Sequence, residues 1–91
     1  RNPFSYLALG DLSLREGRLD EAERFYRRAL RLDSSQAETQ AALGELALAR
    51  GRERDARQHL RKAVRLDAGH PRVVRLAQRL SAKLPPATAR P

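Results

Sequence analysis

The apolar residues of this chain recur at helical spacing, and four breaks divide them into five runs. Asn2-Pro3 opens the first run, since Asn can accept from a free backbone N–H and Pro is tolerated at the first helical position. The first helix is expected from Pro3 to about Glu16, ended by Gly17. Its apolar residues Phe4, Leu7, Ala8, Leu12 and Leu14 spread over more than one face, the pattern of a helix packed on two sides. A second helix is expected from Leu19-Asp20 to about Leu32, with Asp20 as its capping residue and Glu21 and Glu23 near its positive end. Ala22, Tyr26, Ala29 and Leu30 form its apolar stripe, and Arg24, Arg27, Arg28 and Arg31 its wet side.

Asp33-Ser34-Ser35 reads as a turn. A third helix follows from Gln36 or Ala37 to Arg50, and a fourth from Arg52 or Glu53 to Leu66. Asp67 to Pro71 breaks the chain again, and a fifth helix is expected from Pro71 to about Lys83. Its exposed side is expected to carry Arg72, Arg75, Arg79 and Lys83. The stretch 85–91 is Pro- and Ala-rich without periodicity and is expected to be disordered.

These runs repeat. Residues 3–36 laid over 37–70 coincide without a gap at Ala8/Ala42, Leu9/Leu43, Gly10/Gly44, Leu12/Leu46, Leu14/Leu48, Gly17/Gly51 and Arg18/Arg52. They coincide again at Ala22/Ala56, Arg27/Arg61, Ala29/Ala63, Arg31/Arg65, Leu32/Leu66 and Asp33/Asp67. A fixed period of this length marks stacked helical hairpins, each unable to bury its apolar face alone. Residues 3–36 and 37–70 are therefore two repeats, 71–84 a capping helix that closes the stack, and 85–91 a tail. Gly10 and Gly44 lie mid-helix, where Gly costs about 1 kcal/mol against Ala. Close approach of the second helix, with Ala22 and Ala29 facing Gly10, is the expected compensation.

The period and the placement of small residues resemble the tetratricopeptide repeat family. Leu9-Gly10, Ala22, Tyr26 and Ala29 fall on that family's L-G, A, F/Y and A positions, and Tyr6 stands where Trp is commonest. Leu43-Gly44, Ala56, Leu60 and Ala63 fill the same slots in the second copy. The chain departs from the pattern at Gln40, at Ser13 and Ala47, and at Ser34 and Ala68 in place of the late Pro. The resemblance implies an all-α fold: a right-handed superhelical stack of antiparallel helical hairpins, five helices in all.

It also implies a concave side, lined by the first helix of each repeat, where peptide partners lie. Carried onto this sequence, those positions are Phe4, Leu7, Asp11, Leu14 and Arg15, then Glu38, Ala41, Glu45, Leu48 and Ala49. Arg72, Arg75 and Arg79 follow from the closing helix. Chaperone-binding members hold a ligand's terminal carboxylates with Lys and Asn where Leu7 and Asp11 stand here, which argues against an EEVD-type ligand. The first helix has no neighbour on its N-terminal side, so Phe4 and the residues around it are expected to form an apolar contact edge, open to another segment or to self-association.

Composition adds limits rather than a function. Ninety-one residues make one small domain. Leu and Ala dominate the apolar set, which favours helix over sheet. Without Cys the chain can hold neither a disulfide nor a thiolate metal site, and the redox compartment stays open. No apolar run approaches the roughly 20 residues needed to span a bilayer. The chain opens at Arg1, close to a helix start, and we expect it to be a segment of a larger protein.

A net charge of +8, almost wholly from Arg, suits acidic partners or nucleic acid, but also an ordinary solvated helix surface. All four aromatics, Phe4, Tyr6, Phe25 and Tyr26, lie in the first repeat, away from the basic end, so a stacking platform for single strands is missing there. His59 and His70 lack metal-ligand spacing, and no nucleophile elbow or phosphate loop is present. No cofactor and no catalysis are expected. The sequence points to a protein-interaction scaffold or adaptor segment, with polyanion binding through the Arg-rich helices as the alternative.

Overall fold

The computed structural model describes residues 2–82 and contains five helices over that span: Pro3–Arg15 (α1), Leu19–Leu32 (α2), Ala37–Ala49 (α3), Glu53–Asp67 (α4) and Pro71–Ala82 (α5). The expected tail at 85–91 and Lys83 lie outside the described residues. The Asn2 side chain accepts from the Phe4 N–H at 2.8 Å, with Pro3 beginning the helix. Gly17 and Gly51 each end a first helix at φ of 78° and 76°, a left-handed conformation that costs any other L-residue about 1–2 kcal/mol.

The two inter-repeat turns share a device that explains the Asp33/Asp67 identity. Asp33 accepts from the Ser35 N–H at 2.9 Å, and Asp67 accepts from the Gly69 N–H at 3.1 Å. The Ser35 hydroxyl and Gln36 amide also donate to Asp33, and the Ser35 bonds hold its carboxyl below the ordinary carboxylate range.

One expectation at α2 fails. Arg18 occupies the cap position without a side-chain hydrogen bond, and Asp20 lies inside the first turn. Asp20 instead accepts from Arg50 at 2.9 Å, and Glu23 accepts from the same nitrogen at 3.2 Å, tying α2 to the end of α3. That hydrogen bond keeps the Asp20 carboxyl below its usual range.

Helix α3 is the centre of the fold. It touches every other helix, and ten of its residues from Ala37 to Leu48 are buried. A helix packed against several neighbours must be apolar over most of its surface, and α3 is, with Glu38 and Glu45 left partly exposed. One cluster on it joins Leu7, Ala22 and Tyr26 to Ala42, Leu43 and Leu46; the other joins Ala41, Leu48, Ala56 and Ala63 to Val73, Leu76 and Leu80.

The mid-helix glycines differ in their neighbours. A Cβ on Gly10 would stand 2.5 Å from the Tyr26 ring, whereas one on Gly44 would stand 2.6 Å from Leu76 of α5. Tyr26, not Ala22 and Ala29, is therefore what Gly10 admits. Gly44 admits the closing helix, with Ala56 and His59 of its own hairpin at 3.4 and 3.6 Å.

Candidate functional site

Three first-helix carboxylates converge on one guanidinium. Arg72 donates to Asp11 at 2.6 and 3.1 Å and to Glu45 at 2.8 and 2.9 Å, and Glu38 lies at 3.6 Å. Tyr26 donates its hydroxyl to Asp11 at 2.6 Å. The chain Tyr26–Asp11–Arg72–Glu45 thus links α2, α1, α5 and α3. Burial and then the Asp11 bond raise the Tyr26 phenol above its ordinary value. Burial works against the charged form of Arg72, but its bonds to Glu45 and Asp11 prevail and hold the guanidinium above its usual value. His70 completes the corner: its Nδ1 accepts from the Arg72 N–H at 3.1 Å, and its Nε2 faces Glu38 at 3.8 Å.

This arrangement corrects the expected exposed side of α5. Arg72 is buried, 9% exposed, and its charge is spent within the molecule. A long-range bidentate contact of this kind depends on how far the stack curves, which local periodicity does not encode.

The other expected groove residues divide in two. Leu7, Ala41 and Leu48 are buried in the core clusters. Asp11, Glu38 and Glu45 form the floor of the concave cleft with Arg72, and Arg75 and Arg79 stand at its rim. Leu14 and Arg15 border a neighbouring depression, and Phe4 is exposed at 51%. Ala49 is exposed. The concave side therefore presents a floor where three carboxylates share one guanidinium, and a basic rim, not an apolar strip.

The outward face of α1 is different. Leu9 is 43% exposed and Leu12 46%, while Leu43 and Leu46, their equivalents 34 residues on, are each 3% exposed beneath α2. Ala8 is exposed too, where Ala42 is buried. Helix α1 has the two-sided apolar pattern of α3, but only one side is covered. Leu9 and Leu12 went unrecognised as surface residues because the repeat motif reads them as packing positions; their identity with Leu43 and Leu46 was the available signal.

Basic groups crowd the exposed positions of α2 and α4. Arg28, Arg31, Arg61, Lys62 and Arg65 are exposed and make no ion pair within the described residues. The Arg28 guanidinium lies 5.7 Å from the Tyr6 ring centre, and Tyr6 stacks on Phe25 at 6.4 Å. His59 Nδ1 meets the Gln40 amide oxygen at 3.0 Å, and burial, then Lys62 and Arg27, press its pKa below the ordinary range. Among the described residues, no group of three or more His, Asp or Glu is placed to hold a metal ion, and no helix is long and apolar enough to cross a membrane.

A family model described as tetratricopeptide repeat matches residues 13–80, about three quarters of the chain. No curated protein matches it.

Proposed function

The chain belongs to the tetratricopeptide repeat family, whose repeats generally mediate contacts between proteins, and on that premise we propose an interaction module, a scaffold or adaptor segment, that receives its partner on the outward face of α1. The observation that supports this is the pairing of exposed Leu9 and Leu12 with buried Leu43 and Leu46. Each leucine keeps a little under half of its surface exposed, so covering it is worth roughly 1 kcal/mol, to which Phe4 and Ala8 add. The concave cleft is the secondary surface, with Arg75 and Arg79 accessible at its rim and Leu14 and Arg15 at the neighbouring depression. A photo-crosslinking side chain at position 9 should form adducts with a protein in the source cell, and one at position 61 should not. Equal yields at both positions contradict the reading.

A second reading has its own observation. Asp11, Glu38 and Glu45 are occupied by Arg72, and Asp20 and Glu23 by Arg50, so the excess positive charge is left on the outer arginines of α2 and α4. Such a surface can meet phosphates without reading sequence. Filter binding of DNA and RNA at two salt concentrations tests it: retention at low salt that falls steeply with added salt supports a polyanion role, and no retention ends it.

A further inference from the structure

The 34-residue repeat supplies a template for whatever covers α1, and the inference drawn from it rests on the docking reading above. At the internal junction, α2 covers Ala42, Leu43 and Leu46 with Ala22 and Tyr26, while Leu19 and Leu30 pack at the margin. Arg50 closes that junction by reaching Asp20 and Glu23 near the start of α2. The apolar part of this pattern recurs unchanged on α1 as Ala8, Leu9 and Leu12. The charged part is inverted, because the position of Arg50 is held by Glu16, which is exposed and meets Arg18 at 3.6 Å.

A helix of the α2 type would bring two carboxylates against Glu16. Helix α4 carries Arg54 and Arg57 at the positions of Asp20 and Glu23, with Ala56, Leu60 and Val64 where α2 has Ala22, Tyr26 and Leu30. We propose that the outward face of α1 takes an amphipathic helix of the α4 type, with arginines at the two positions that would face Glu16, as the second helix of another hairpin. A second copy of this chain does not offer one as folded. Its α2 has the wrong charges, and its α4 packs against Val73, Leu76 and Leu80 of α5.

The test uses the full chain and a labelled peptide of residues 52–67, stapled between positions 61 and 65 on the exposed side, read by fluorescence anisotropy. The peptide should bind saturably, and Arg54→Asp with Arg57→Glu in the peptide should weaken binding about tenfold, like charges facing Glu16. Glu16→Arg in the protein should reverse that preference, and Leu9→Glu with Leu12→Glu should abolish binding of both peptides. Equal binding of the two peptides, unmoved by Glu16→Arg, overturns the charge rule and leaves the docking face standing. Binding of neither, or binding that survives Leu9→Glu with Leu12→Glu, overturns both. Concentration-dependent dimers of the wild-type chain in sedimentation, lost on Leu9→Glu with Leu12→Glu, would assign the face to a second copy and overturn the proposal.

Discussion

Arg72 sets its two terminal nitrogens against both carboxylate oxygens of Asp11, at 3.1 and 2.6 Å, across 61 residues of sequence. The contact fastens the last described helix to the first, and Glu45 on the central helix shares the same guanidinium. The arginine is therefore a structural tie between repeats.

Removing it strands carboxylates. The Arg72→Ala variant should lose about 2–3 kcal/mol in chemical denaturation, below the 3–5 typical of a wholly buried pair because Asp11 keeps a third of its side chain exposed. Adding Asp11→Asn and Glu45→Gln to Arg72→Met should recover part of that loss. A double-mutant cycle on Arg72 and Asp11 that shows no coupling would reject the tie.

The two mid-helix glycines should respond unequally to alanine. At Gly10 the obstacle is the Tyr26 ring, a rigid group held by its bond to Asp11. The overpacking cost of about 1–3 kcal/mol should exceed the helical gain of about 1 kcal/mol, so Gly10→Ala should lower the melting temperature. At Gly44 the obstacle is the methyl end of Leu76, which can rotate, so Gly44→Ala should be closer to neutral. Equal losses would show that the glycines meet like obstacles.

Stability should depend on pH through His59. Burial, with Lys62 and Arg27 nearby, holds its folded pKa below the ordinary 6.5. The unfolded chain takes up this proton first as pH falls, so the contribution is present above about 6.5 and is lost as pH drops through the folded value. The His59→Gln variant should flatten the slope of unfolding free energy between about pH 7 and pH 5. An unchanged slope would mean that His59 is not its source.

Much of the fold was written locally. Helix starts at Asn2-Pro3 and stops at Gly17 and Gly51 follow from backbone preferences of single residues, and the 34-residue identities placed the hairpins side by side. Asp20 misled because an acidic residue near a helix start serves a cap or an ion pair equally well, and only the end of α3 decides. The concave positions were legible as positions but not as surface, because Leu7, Ala41 and Leu48 are drawn into the core by neighbours distant in sequence. Arg72 stands at the repeat position of Phe4 and Glu38, yet the closing helix has lost the L-G pair that would have flagged its register.

Equivalent leucines should tolerate charge differently. Leu9→Glu with Leu12→Glu should leave the melting temperature within a few degrees, since both side chains already face water. Leu43→Glu with Leu46→Glu places two carboxylates in the core beneath α2 and should unfold the chain. Circular dichroism melts of both pairs check this, and unfolding of the first pair would show that the face of α1 is covered after all.

Cysteine labelling tests the covered and uncovered versions of one face most directly, because the natural chain has no thiol to interfere. Leu9→Cys and Leu43→Cys variants are each exposed to a thiol reagent under native conditions. The thiol at position 9 should react within about tenfold of a free cysteine, and the one at position 43 at least about 100-fold more slowly, since it must await opening of the core. Equal rates, or protection at position 9, would contradict an open docking face on α1.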